Sequence, residues 1–157
     1  MALAALAGTG HSALVQWSAR EGERALDAAR AAHDAPTRDE RLQTAARQLA
    51  RASALGLVPS VELENKLGQV LFTLARAAEA EPHLARALEL DPTNRSARVF
   101  LARCLVARGA HDEAATLLER VFELDPRDPG LPVALGELLR VAPEHEGAAS
   151  LRARLER

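Results

Sequence analysis

The chain has 157 residues, of which 48% are hydrophobic and 27% charged, and its formal net charge is −2. This balance is typical of one globular domain with a sizeable core. Basic residues are not concentrated in either half, so we expect no nucleic-acid partner. No apolar run approaches the ~18 residues of a membrane-spanning helix, which predicts a soluble, cytoplasmic protein without direct membrane insertion. Lys66 is the only basic residue that is not arginine, which suggests a bacterial origin.

Aromatic residues make up only 3% of the chain and tyrosine is absent, so the core must be built from Ala, Leu and Val. Ala and Leu are strong helix formers, and no segment alternates apolar and polar residues as a strand would. The sequence therefore predicts an all-α fold.

The N-terminal part of the chain predicts an irregular start. Residues 1–10 are rich in alanine and glycine, and we expect a loose N-terminus there. Residues 11–59 predict an irregular helical hairpin, whose first helix is capped by Ser12 and runs to about residue 32. Trp17 is expected to anchor the core of this hairpin.

The second helix of the hairpin is predicted over residues 38–55. Thr37 and Glu40 have the spacing of a capping box, in which each side chain bonds a free backbone N–H of the first turn. Gly56 is a suitable residue to end the helix.

From residue 60 onward the chain repeats itself every 34 residues, because residues 61–94 align with residues 95–128 without a gap. Matching apolar positions are Leu67 and Leu101, Leu71 and Leu105, Ala80 and Ala114, and Leu84 and Leu118. Such a period predicts a solenoid, in which each helix pair buries its apolar face against its neighbours. We expect one repeat over residues 60–94 with Ser60 as its N-cap, a second over 95–128, and a partial repeat with a polar closing helix over 129–157.

This pattern resembles the tetratricopeptide repeat family, which has the same period. In that family each repeat is an antiparallel pair of helices, A and B, and small residues at the eighth and twentieth positions let the two helices cross closely. Those positions here hold Gly68 and Ala80, Ala102 and Ala114, and Gly136 and Ala148. The resemblance implies a right-handed α–α superhelix. Ala75 departs from it, because it stands where the second repeat keeps the usual turn glycine, Gly109.

The resemblance also implies a binding surface, because the A helices of the family line a concave groove that holds a partner. The corresponding residues of this chain are Asn65, Lys66, Gln69, Phe72, Val99, Phe100, Arg103, Val106, Val133, Glu137 and Arg140. Two readings of Phe72 and Phe100 stay open: they are exposed anchors for a partner, or they are partly buried between helices. Arg103, Lys66 and Arg140 are expected to orient the partner.

The best-known ligand mode of the family is a clamp of basic and amide side chains that holds the C-terminal carboxylate of a peptide. The clamp positions of this chain are occupied by Asn65, Gln69, Phe100, Gly130 and Ala134, so the clamp is absent. The groove is better suited to an apolar or amphipathic segment.

No catalytic, cofactor or metal motif is found in the sequence. His111 and His145 share a place in the repeat and are expected in turns, and Cys104 is expected to be a packing residue. We therefore predict a non-catalytic protein–protein interaction module, either an adaptor, a scaffold or a small chaperone. The alternative is a self-assembling structural protein, a homo-oligomer in which another copy fills the groove.

Overall fold

The computed structural model describes residues 2–56 and 59–156, with side chains from residue 12 onward, and every regular element in these ranges is a helix. The helices are α1 (Ala2–Arg30), α2 (Ala35–Leu55), α3 (Val61–Thr73), α4 (Ala77–Leu90), α5 (Arg95–Arg108), α6 (His111–Leu124), α7 (Gly130–Val141) and α8 (Glu146–Leu155). Consecutive helices pair as hairpins, and the pairs stack along the chain. The predicted all-α solenoid is confirmed. No helix among the described residues is long and apolar enough to cross a membrane.

The helix starts of the repeats follow the predicted period. Ser60 caps α3 by accepting a hydrogen bond from the Leu63 amide, and Asn94 caps α5 in the same way from the Ala97 amide. One period later Asp128 accepts from the Gly130 amide at 2.9 Å, at the start of α7. The first-turn amides of a helix have no partner inside the helix, so a side-chain oxygen at this repeat position fixes where each A helix begins.

The helices of each full repeat cross at small residues, as predicted. Gly68 is so close to α4 that a Cβ atom built on it would lie 2.5 Å from Leu84 Cγ. Ala80, Ala102 and Ala114 are each 0% exposed. Leu84 is also fully buried, so the leucine of one helix fills the space that a side chain would need on the other.

The first hairpin was not predicted as a repeat, but its two helices also cross closely at a small residue. A Cβ atom on Gly22 of α1 would lie 2.8 Å from the Leu49 side chain of α2. Helices α1 and α2 therefore approach each other closely at Gly22.

Three predictions for the helix starts of the first hairpin are wrong. Helix α1 begins at Ala2, so Ser12 lies within it and is not its N-cap. Helix α2 begins at Ala35, and its cap is Asp34, which accepts a hydrogen bond from the Thr37 amide at 2.8 Å. Thr37 therefore does not start a capping box, and the proline at position 36 falls in the first turn, where its missing N–H is not needed.

Trp17 does not anchor the core of the hairpin, because it is 50% exposed. The face of α1 that meets α2 is formed by Ser18, which is 0% exposed, and by the buried Gly22 one turn later. Trp17 precedes Ser18 by one residue and is therefore rotated about 100° away from that face.

The last repeat departs from the predicted pattern. Gly136 is exposed, and no atom outside its own stretch of helix lies within 4 Å of a Cβ built on it. In α8, Leu151 is 0% exposed while Arg152, on the repeat position of Leu84, is exposed. The closing pair therefore lacks the close crossing at Gly136, and its buried leucine is shifted by one residue.

The turns between A and B helices reveal a strained residue. Gly109 ends α5 with a φ of 85°, and Ala75 adopts a φ of 58° at the equivalent place after α3. The bonds that close both turns are equivalent, because the Arg76 amide donates to Leu71 O and the Ala110 amide to Leu105 O, both at 2.9 Å. Glycine adopts this left-handed conformation without strain, whereas the Cβ atom of alanine makes it costly.

We expect Ala75→Gly to stabilise the protein by about 0.5–1 kcal/mol, because relief of the strain exceeds the added entropy of the unfolded chain. Urea denaturation followed by circular dichroism measures this difference. The matched control is Gly109→Ala, which should lower the free energy of unfolding. Loss of stability in both variants would show that Ala75 is not strained.

Candidate functional site

Helices α3, α5 and α7 lie side by side and form the surface on which the predicted site residues were placed, which we call the A-helix surface. Polar contacts tie these helices together. Gln69 of α3 donates to Ser96 Oγ of α5 at 3.0 Å and to Asn65 Oδ1 of its own helix at 3.0 Å. Lateral contacts of this kind hold the neighbouring A helices in register.

An aromatic cluster occupies the middle of the A-helix surface. The Phe72 and Phe100 rings meet edge to face, with centroids 5.8 Å apart. The Arg103 guanidinium lies 4.4 Å from the Phe72 centroid and 5.2 Å from the Phe100 centroid. Both rings are partly buried against the core. The structure therefore matches the second of the two interpretations left open by the sequence, in which the rings are partly buried between helices.

Arg103 is held in place by a second interaction. Its Nε and Nη2 atoms donate to the two carboxylate oxygens of Glu137 in α7 at 2.8 and 2.7 Å. A two-point pair of this kind is strong and directional. The guanidinium thus links α3, α5 and α7, and its role in orienting a partner remains a prediction.

Lys66 is also engaged with neighbouring side chains. Its Nζ atom lies 2.6 Å from a carboxylate oxygen of Glu23 in α1 and 2.8 Å from one of Glu62. Burial lowers the pKa of Lys66, but the hydrogen bonds to the two carboxylates outweigh it and raise the pKa above its usual value. Lys66 therefore stays charged and links α1 to α3.

The other predicted residues fall into two groups. Val99 is 4% exposed and belongs to the core beside Gly130, so it is not accessible to a partner and the prediction for it is wrong. Val133 is 53% exposed, Arg140 is exposed and Val106 is partly exposed, all on the A-helix surface. Val99 was misplaced because α5 turns that side chain toward the start of α7.

A cleft of about 340 Å³ opens in this surface between the first hairpin and α3. It exists because α1 packs on α2 but not closely on α3, whereas α3 packs on α5 and α5 on α7. Its apolar lining consists of Leu26, Ala29, Leu42, Val70 and Phe100. We call it the α1–α3 cleft.

Polar residues surround the α1–α3 cleft. Lys66 and Gln69, both predicted from the sequence, contribute to its lining, together with Arg30 and Arg38 from the first hairpin and Thr73 from α3. The two arginines were not predicted, because the repeat pattern was identified only from residue 60 onward.

Two histidines that could act as an acid or a base are bonded to other groups of the protein. His83 Nδ1 lies 2.6 Å from a carboxylate oxygen of the buried Glu64, which also accepts from Ser53 Oγ at 2.6 Å. His145 lies in the last turn, as predicted, and caps α8 by accepting from the Ala148 amide. Among the described residues, no group of three or more His, Cys, Asp or Glu side chains is placed to hold a metal ion.

Cys104 is 1% exposed, beside a second cleft of about 530 Å³ between α4 and α5. Burial raises the pKa of the thiol to about 11, and the nearby Glu81 carboxylate adds to the rise. A thiol is reactive as the thiolate, so this environment suppresses nucleophilic chemistry. The expectation of a packing residue agrees with this position.

A stack of helix pairs that cross at small residues, with an accessible surface along its A helices, defines an α-solenoid of the kind that displays binding surfaces. Two tetratricopeptide repeat models match the sequence, one over residues 38–94 and the other over residues 71–131. The chain belongs to the tetratricopeptide repeat family. No curated protein matches it.

Solved structures of the same family resemble the chain. YrrB, described as a TPR protein with an unusual peptide-binding site, is 23% identical, with a TM-score of 0.52 and coverage of 74% of this chain and 72% of that one. TTC0263, a thermophilic TPR protein of Thermus thermophilus, is 27% identical, with a TM-score of 0.58 and coverage of 75% and 60%. The second TPR domain of human RPAP3, in complex with an HSP70 peptide, is 17% identical, with a TM-score of 0.63 and coverage of 79% and 97%.

We expect Cys104 to resist alkylation by iodoacetamide at pH 8 in the folded protein and to react readily in denaturant. At that pH nearly all of a thiol with a pKa of about 11 is protonated. The rate should rise as the pH approaches 11, which mass spectrometry of timed samples measures. Rapid labelling of the folded chain at pH 8 would contradict the packing role.

Proposed function

We propose that the chain is a non-catalytic protein–protein interaction module that holds an apolar or amphipathic segment of a partner on its A-helix surface. The observation that carries this proposal is the α1–α3 cleft, which has an apolar lining and opens beside Phe100. Binding sites are typically concave and mostly apolar, with a few polar groups that fix the orientation of the ligand. An adaptor, a scaffold and a small chaperone would all use such a surface.

Three features of the surface support binding of a peptide. The cleft is large enough for one apolar side chain of a partner, and Phe100 continues it toward Phe72. Val133 provides a further exposed apolar contact on α7. The contacts of Arg103 with both rings and with Glu137 hold this surface rigid, which lowers the entropy cost of binding. One solved structure that resembles the chain, the second TPR domain of human RPAP3, holds an HSP70 peptide, which supports a peptide as the partner.

The alternative function is self-assembly, in which another copy of the chain covers the surface. The exposed indole of Trp17 on α1 favours it, because large exposed aromatic side chains are enriched at interfaces. Light scattering over a concentration series separates the two functions. A monomer at all concentrations supports the peptide-binding module, and a stable oligomer supports self-assembly.

Phe100→Ala should weaken binding of peptides selected from a random display library by roughly tenfold or more, because the ring forms one wall of the cleft. Fluorescence anisotropy with labelled peptides gives the Kd. The matched control is Phe122→Ala, which removes a partly buried ring of α6 that lies under Arg154, away from the cleft. Equal Kd values for the wild type and Phe100→Ala would place the site elsewhere, and equal losses in both variants would indicate a general loss of structure.

A further inference from the structure

The polar rim of the α1–α3 cleft has one sign of charge. Arg30, Arg38 and Lys66 line it, and none of the described carboxylates does so. The nearest acids, Glu23 and Glu62, are bonded to Lys66, and Asp27 is paired with Arg30. Glu23 and Asp27 line a smaller adjoining opening of about 250 Å³ with Arg30 and Lys66, so Arg38 is the basic side chain of the rim that has no carboxylate partner among the described acids.

The two arginines keep hydrogen-bonding capacity for a ligand. Arg30 pairs with Asp27 at 3.1 Å, but these side chains are 79% and 75% exposed, so the pair contributes little and can be exchanged. Arg38 donates to the Ala32 carbonyl at 3.4 Å and forms no ion pair with the described acids. A guanidinium has five N–H donors, so most of those on Arg38 remain open to a carboxylate.

We propose that the α1–α3 cleft selects a peptide segment in which one apolar side chain is flanked by aspartate or glutamate. The apolar side chain fills the space between Leu42, Val70 and Phe100, and the flanking carboxylates pair with Arg38 and Arg30 at the rim. This inference rests on the proposed function, and it adds the charge of the partner. Complementary charge across an interface raises the association rate and excludes partners of the wrong sign.

Other occupants fit the rim less well. A second copy of the chain presents two exposed leucines between acids, Leu90 and Leu124. The flanking carboxylates are already bonded within their own chain, those of Glu123 and Asp125 to Arg120 and Arg95. A ligand held only by its C-terminal carboxylate would not use the apolar lining. An internal acidic segment with one apolar residue satisfies both the lining and the rim.

The test uses the full chain and three short fluorescein-labelled peptides with one central leucine, flanked by glutamate, by glutamine or by lysine. We expect the glutamate peptide to bind most tightly and the lysine peptide most weakly in fluorescence anisotropy. Added salt should reduce this difference, because exposed charges are screened. Amidation of the peptide C-terminus should leave the Kd unchanged.

Arg38→Glu should reduce the preference for the glutamate peptide over the lysine peptide by roughly tenfold. Arg38→Gln should reduce it by a smaller factor, and it is the milder variant if charge reversal perturbs folding. The matched control is Arg47→Glu, because Arg47 is also exposed on α2 and bonded to one side chain, Thr44. Arg47 follows Arg38 by nine positions, which places the two side chains on opposite faces of the helix.

The outcomes distinguish failure of this inference from failure of the proposed function on which it rests. Equal binding of all three peptides would overturn the charge selectivity and leave the proposed function standing. Absence of binding by all three would overturn both. Loss of binding on amidation, or equal effects of Arg38→Glu and Arg47→Glu, would assign the recognition to another group.

Discussion

The close crossing of paired helices is the constraint on which the rest of the structure depends. A fully buried leucine of α4, Leu84, occupies the place where Gly68 of α3 has no side chain. The same arrangement joins Gly22 and Leu49 in the first hairpin. Because each leucine fills that space, the distance between the two helices of a pair is fixed. This distance also determines which side chains stay on the outer surface of the pair.

The binding surface follows from the way in which these pairs stack. Contacts between Phe72, Phe100, Arg103 and Glu137 keep α3, α5 and α7 together. Helices α1 and α2 of the first hairpin are longer than those of the repeats, and α1 packs on α2 and stands away from α3. The α1–α3 cleft is the space left by this irregularity. We propose that a partner anchors there, next to the regular part of the A-helix surface.

Much of the fold could be predicted from the sequence, because it depends on local rules. The repeat pattern predicted the cap Ser60 and the crossing at Gly68, each of which is set by residues close in sequence or one period apart. Predictions failed where two local signals competed. Asp34 and Thr37 are both suitable caps, and the spacing alone favoured Thr37, whereas the chain uses Asp34.

The candidate site was harder to predict, because it depends on distances between elements. Lys66, Gln69 and Phe100 were identified by their place in the repeat, yet Arg30 and Arg38 were not, because the first hairpin was not predicted as a repeat. The burial of Val99 and the exposure of Trp17 also depend on how neighbouring pairs rotate against each other.

The most direct measurement of the central claim compares Gly68→Ala with Gly136→Ala by urea denaturation, since the two glycines share one repeat position but only Gly68 lies at a close crossing. We predict that Gly68→Ala lowers the free energy of unfolding by roughly 1–2 kcal/mol and that Gly136→Ala raises it by about 0.5–1 kcal/mol; stabilisation by both substitutions would contradict the account.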